Sequence, residues 1–264
     1  MAQSKQKAID RMVIIEAPDK YDNKTFHANF QPEKETGNDV LYTSELAIGY
    51  DHPLSVVSLD LKRGEKLGIL GGNGLGKSTF LKTIVGKIPA LSGEYRFGTN
   101  VQIGYFDQQM AMYTSNKTVL DDFWDEYPNL TETEARNALG AFLFSGEDVF
   151  KNVNMLSGGE KVRLALCKIL KTRPNVLVLD EPTNHMDIVG KETLESMLKD
   201  YKGTLIFVSH DRYFVKKVAT QLLVFEDGTT NLYQLAMSSI RKSSTGRLRR
   251  AKMYTEAMRY LAAR

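Results

Sequence analysis

One stretch constrains this chain more than any other. Gly71-Gly72-Asn73-Gly74-Leu75-Gly76-Lys77-Ser78 lies between an apolar run, Lys66–Leu70, and a segment that reads as a helix from Ser78 towards Gly86. Strand, glycine-rich bend and helix in that order form a loop whose backbone N–H groups curl inward, backed by a helix N-terminus with its partial positive charge. Such a cradle suits phosphate. Gly71, Gly74 and Gly76 let the backbone turn, with Asn73 and Thr79 counted among the nucleotide contacts. Lys77 is expected on the β- and γ-phosphates, and the Ser78 hydroxyl on Mg²⁺.

A second stretch completes the first. The unbroken apolar run Val176-Leu177-Val178-Leu179 ends in Asp180-Glu181. An all-apolar strand belongs in a parallel sheet covered on both faces, and open sheets of that kind bind ligands at the carboxyl ends of their strands. Asp180 is expected to hold the magnesium. Glu181 is the candidate that orients or deprotonates an attacking water. An acid pair after a strand is weak evidence alone; after a phosphate loop it becomes strong.

Composition excludes several other classes. No apolar run nears the about 18 residues that span a bilayer, and the first residues, MAQSKQKAIDRM, are polar where a signal peptide would be hydrophobic. The single cysteine, Cys167, forbids an intramolecular disulfide and fits a buried small hydrophobe. A cytoplasmic location is the expectation. The 35 basic and 32 acidic residues nearly balance, yet residues 241–264 hold eight basic side chains against Glu256 alone. Any basic partner surface therefore lies at that end.

The chain divides into three. Residues 1–36 read as the end of a helical linker, basic up to about Met12 and interrupted by Pro18 and Pro32. Residues 37–236 read as one α/β domain: strands from Val40, a turn at Lys62-Arg63-Gly64, two strands within 94–106 around a Gly98–Asn100 turn, and a final hairpin at Asp227-Gly228. A helical, acid-rich subdomain is expected at about 110–160. There Thr131 and Glu134 have capping-box spacing, and Ala135, Ala138, Leu139, Phe142 and Leu143 recur on one face. Residues 237–264 form a basic tail in which Leu248, Ala251, Tyr254, Met258 and Leu261 recur at helical spacing. It reads either as an RNA contact or as a solvated amphipathic helix packing on its own domain.

Leu156-Ser157-Gly158-Gly159-Glu160, between the phosphate loop and the acidic strand, makes the chain resemble the ATP-binding cassette (ABC) family, whose signature sequence this is. His210 matches that family's switch histidine, Gln108 its Q-loop glutamine, Tyr50 its adenine-stacking aromatic, and Asp187 its D-loop. The elements run in the family's order over about residues 40–233. The resemblance implies a mostly parallel phosphate-loop core, an N-terminal antiparallel β subdomain and a helical signature subdomain. It implies ATP and Mg²⁺ as ligands, with Gln108 also on the metal and Gln108 and His210 beside Glu181 in catalysis. It further implies a head-to-tail pair in which Ser157, Gly158 and Gly159 of one cassette close on the nucleotide of another.

Within the family the chain is most similar to the F subfamily (ABC-F), whose better-known members act on the ribosome. The signature ends in Glu160, the D-loop reads Thr183-Asn184-His185-Met186-Asp187, and the switch segment reads His210-Asp211-Arg212-Tyr213-Phe214. The N-terminal Ser4–Met12 is similar to the end of that branch's inter-cassette linker. Two departures stand out: one cassette where the branch has two, as in the C-terminal half of a longer protein, and Gly72 where the branch commonly has proline. The implied function is ATP hydrolysis on the ribosome, in translation or in protection from antibiotics, with RNA as partner and no membrane insertion. The alternative is the ATP-binding subunit of a membrane transporter.

Overall fold

In the computed structural model, which describes residues 30–235, two sheets divide the strands. The first is antiparallel with order β2-β1-β4, from β1 (Asp39–Gly49), β2 (Pro53–Lys62) and β4 (Ser92–Phe97). The second has order β5-β6-β7-β3-β8-β9, from β3 (Lys66–Gly71), β5 (Ile103–Phe106), β6 (Val176–Asp180), β7 (Thr204–Val208), β8 (Gln221–Glu226) and β9 (Thr229–Gln234). All its pairings are parallel except the β8–β9 hairpin.

Side-chain alternation decides what covers each face. Val176, Val178, Ile206 and Val208 pack with Phe80, Leu81 and Ile84 of helix α1 (Lys77–Ile84) and with the small sheet's Leu41, Leu46 and Val57. Their neighbours Leu177, Leu179, Leu205 and Phe207 face the other way. They meet the helices that follow α2 (Val119–Glu126) and α3 (Glu132–Gly140): α4 (Gly158–Lys171), α5 (Ile188–Asp200) and α6 (Arg212–Val218). Each such side chain contributes about 1.5–3 kcal/mol by burial, so strands apolar on both faces belong in the middle of this sandwich. Among the described residues no helix is long and apolar enough to cross a membrane.

One sequence expectation needs correction. Helix α3 has its capping box on Thr131 and Glu134, and Ala135, Ala138, Leu139 and Phe142 are buried. It ends at Gly140, however; Leu143 takes a left-handed φ of 65° and Phe144 is buried in its place. The two strands expected within 94–106 form; β4 joins β1 in the small sheet and β5 joins β6 in the large one, a division the sequence left open. Ahead of β1, Phe30 is buried edge-on against Phe142, with ring centroids 5.2 Å apart. The linker helix up to Met12 and the basic tail from residue 237 lie outside the described residues.

Candidate functional site

The phosphate loop lies at the carboxyl end of β3, and its shape depends on glycine at two points. Gly71 has φ 145°, and a Cβ there would sit 2.6 Å from the Phe225 carbonyl oxygen on β8. Gly76, the N-cap of α1, has φ 98° and lies against Ile48 and Leu54 of the small sheet. Ser55 Oγ donates to the Leu75 carbonyl at 2.9 Å, bracing the loop from β2. Gly72, Asn73 and Gly74 are exposed at its crest. Lys77, Ser78 and Thr79 open α1, where first-turn N–H groups have no intrahelical acceptor. Lys77 Nζ reaches back to the carbonyls of Gly71 and Gly72 at 3.0 and 2.7 Å, so the ammonium stays beside the loop. Its burial lowers the pKa, which favours an anionic neighbour.

The parallel strand β6, separated from β3 by β7, brings the acids to the same edge. Ser78 Oγ donates to Asp180 Oδ1 at 3.0 Å. Glu181 follows with a left-handed φ of 51°. One of its carboxylate oxygens accepts the His210 backbone N–H at 3.2 Å; the other lies 3.3 Å from His210 Nε2, buried and without a hydrogen bond. Burial pushes the pKa of both carboxyl groups up; the nearby His210 partly opposes this for Glu181, and the Ser78 hydroxyl for Asp180. Thr183 Oγ1 and Ser209 Oγ, 3.2 Å apart, join the segments after Glu181 and before His210.

These oxygens fit a hard divalent cation. Mg²⁺ takes oxygen ligands, keeps several waters and favours one or two carboxylates beside phosphate. A hydroxyl 3.0 Å from a buried carboxylate, next to a buried carboxylate oxygen without a hydrogen bond, offers that donor set. A cation there would offset the burial cost carried by Asp180 and Glu181.

Gln108 also lies at this edge, one residue past β5 and Asp107, beside the end of β6. Tyr50 stands in the β1–β2 turn, 61% exposed, two residues from Ile48 at Gly76. The loop, the acids, Gln108 and His210 therefore share one edge, with Tyr50 in the adjoining small sheet.

Ser157, Gly158 and Gly159 form a separate group. Ser157 is the N-cap of α4 in a reciprocal capping box with Glu160. A Cβ added at Gly158 or Gly159 would meet His185 and Met186 first, and not the phosphate loop. Asp187, in the same segment, caps α5 through the Gly190 N–H at 2.8 Å. Sequence reasoning missed Asp107, which is buried, pairs with Lys87 at 2.9 Å and caps the short 3₁₀ helix beginning at Gln108. A carboxylate just before a helical turn is a capping signal that could have found it.

The family model described as "ABC transporter" matches residues 54–184. Among curated relatives, the chain is 50% identical over 225 residues to the ATP-binding protein YdiF of Bacillus subtilis (strain 168), covering 84% of this chain and 35% of that one. It is 37% identical over 236 residues to ABC transporter F family member 5 of Arabidopsis thaliana, covering 88% and 34%. The chain thus spans about a third of the length of these relatives. Among solved structures, a dimeric post-hydrolysis state of the ATP-binding cassette MJ0796 bound to ADP and Pi matches with a TM-score of 0.62 at 21% identity, covering 74% of this chain and 99% of that one. That likeness speaks for the fold.

Proposed function

Because this chain carries the ATP-binding cassette of the ABC transporter family, we propose that it binds ATP with Mg²⁺ and hydrolyses the γ-phosphate between two cassettes placed face to face. The observation that carries this reading is the meeting of Ser78, Asp180 and Glu181 at the mouth of the phosphate loop. The N–H groups opening α1 and Lys77 bind the β- and γ-phosphates. Ser78 and Asp180 would hold Mg²⁺, with Gln108 from the next strand, and Mg²⁺ when bound neutralises charge developing on the phosphates. Glu181 orients the attacking water and accepts its proton; its burial-raised pKa brings it closer to working pH and makes it a better base. His210 holds the Glu181 carboxylate through its backbone N–H. Tyr50 stacks on adenine.

Ser157, Gly158 and Gly159 cap the γ-phosphate held by the second cassette. Their place at a helix N-terminus away from their own loop supports this, as does the dimeric state of the MJ0796 cassette. Replacing Lys77 by alanine tests the phosphate site. A fluorescent ATP analogue should bind at least tenfold more weakly, which corresponds to about 1.4 kcal/mol, with the thermal melt retained; equal binding would place the phosphates elsewhere.

The wider role we propose is that of an ABC-F-type ATPase acting on the ribosome from the cytoplasm, in translation or antibiotic protection. Glu160, the Thr183–Asp187 segment, the His210–Phe214 segment and the F-family relative support it. Co-sedimentation with ribosomes that strengthens with ATP in the Glu181→Gln chain is the expected result. Fractionation with membranes instead would favour the subunit of a transporter.

A further inference from the structure

Gln108 opens a five-residue 3₁₀ helix, Gln108–Met112, and charged side chains fix both ends of it. On the near side, Asp107 holds Lys87 at 2.9 Å and accepts the N–H groups of Gln109 and Met110 at 2.9 and 3.2 Å. Lys87 lies three residues past the end of α1 with its own N–H on the Lys82 carbonyl of that helix, so this end belongs to the phosphate-loop core. On the far side, the Tyr113 hydroxyl donates to Asp122 Oδ1 at 3.0 Å, and Asp122 Oδ2 lies 2.7 Å from Lys168 Nζ. Lys168 also pairs with Glu126, and its ammonium stands 5.7 Å from the Tyr113 ring centroid.

The far tie is buried where the near one is half open. The side chains of Asp122 and Lys168 are 4% and 15% exposed. They border an apolar groove of about 510 Å³ lined by Met110, Tyr113, Leu164 and Ile169. Water screens a pair so placed poorly, and breaking it from one side leaves a buried charge. Lys168 lies on α4, the helix that Ser157 caps. Eleven residues at 1.5 Å of rise separate the two, about 16 Å along one rigid rod.

We propose that Asp122 and Lys168 are positioning residues that, with Tyr113, lock the Gln108 segment to the signature helix. The state of Gln108 at one nucleotide then sets where Ser157 stands on the neighbouring cassette's nucleotide. The groove gives the segment room to shift, and the ion pair makes α4 shift with it. This inference rests on the roles given above to Gln108 and Ser157.

Trp124, the single tryptophan, reports on the tie. It lies two residues after Asp122 on α2, with its indole N–H on the Leu130 carbonyl at 2.8 Å. The test variant combines Asp122→Asn with Lys168→Met, which removes both charges together and so avoids orphaning either. Tyr113→Phe removes only the hydroxyl and serves as the conservative variant. In the whole chain, ATP with Mg²⁺ should change Trp124 emission. The double variant should bind a fluorescent ATP analogue within about twofold of the parent yet lose most of that emission change, and Tyr113→Phe should lose part of it. An undiminished emission change in both variants, or none in the parent, would overturn the proposal.

A mixing experiment places the effect. A Lys77→Ala chain paired with a Ser157→Arg chain leaves one site, in which the Lys77→Ala chain supplies only its signature. Adding the double substitution to that chain should lower kcat at least fivefold with KM for ATP unchanged, and an unchanged kcat would also overturn the tie. A parental mixture without activity would instead count against Ser157 acting in trans, and the Trp124 response would still decide the tie.

Discussion

The Ser78 hydroxyl donates to the Asp180 carboxylate across 3.0 Å, joining residues 102 positions apart. That single bond links the phosphate-loop helix to the end of the buried strand β6, which β7 separates from β3 in the sheet, and the proposed Mg²⁺ site is built around it.

The first prediction concerns the stability of the nucleotide-free chain. Burial raises the folded pKa values of Asp180 and Glu181 above their ordinary 3.8 and 4.5. The sign follows from linkage. The stability from their protonated forms is present below those ordinary values and is lost as pH rises through the raised folded values. At neutral pH both carboxylates therefore weigh against the fold. Asp180→Asn and Glu181→Gln should each raise Tm at pH 7 by a few degrees, since each kcal/mol is worth about 2–4 °C in a domain of this size. Both should flatten the decline in Tm above about pH 4.5. Calorimetry across pH 4–8 checks this; a lower Tm at pH 7 in both variants would refute it.

The second concerns the loop glycines. A methyl group at Gly71 meets the Phe225 carbonyl oxygen at 2.6 Å and the Phe225 Cβ at 2.8 Å, while one at Gly74 has nothing within 4 Å. Both residues have positive φ, so alanine strains the backbone at either, at about 1–2 kcal/mol. Only Gly71→Ala adds a clash with a fixed strand. Its thermal midpoint should fall several degrees further than that of Gly74→Ala, with ATP affinity lowered as β3 and β8 move apart. Equal losses would mean that the loop relaxes freely at Gly71.

The third concerns action in trans. Ser157 caps α4 away from its own phosphate loop, so Ser157→Arg should abolish turnover by the paired chains while leaving ATP binding by the single chain nearly unchanged. Mixing it with Lys77→Ala should restore part of the activity, because one composite site then unites an intact loop with an intact signature. Loss of ATP binding by the Ser157→Arg chain itself would end the trans reading.

What was legible in the sequence follows from where the information sits. The phosphate loop, the Asp180-Glu181 strand end, the capping box at Thr131 and the helix entry at Ser157 are written in consecutive residues, and they lie in the structure where the sequence put them; the reciprocal box between Ser157 and Glu160 was not read. Gln108 and His210 came from family resemblance; a lone Gln or His carries no local signal. The Asp107–Lys87 pair and the Tyr113–Asp122–Lys168 tie were not legible. Lys168 meets Asp122 only because α4 packs beside α2, and no periodicity within either segment encodes that meeting. The same limit explains β4 and β5: two adjacent strands with a turn between them do not say which sheet each will join. Leu143 failed for a local reason. The helical pattern ran past Gly140, a weak helix former, and the chain turned left-handed three residues later to bury Phe144 instead.

The most direct test of the central claim is turnover by the Glu181→Gln chain alongside its ATP-dependent light scattering. The substitution keeps size and hydrogen-bonding capacity and removes only the base, whose burial beside His210 and Asp180 gives it that role. The account predicts hydrolysis reduced by at least about 10²-fold, the low end for general-base catalysis, with ATP binding retained and an ATP-bound pair accumulating. Turnover unchanged by Glu181→Gln would contradict it.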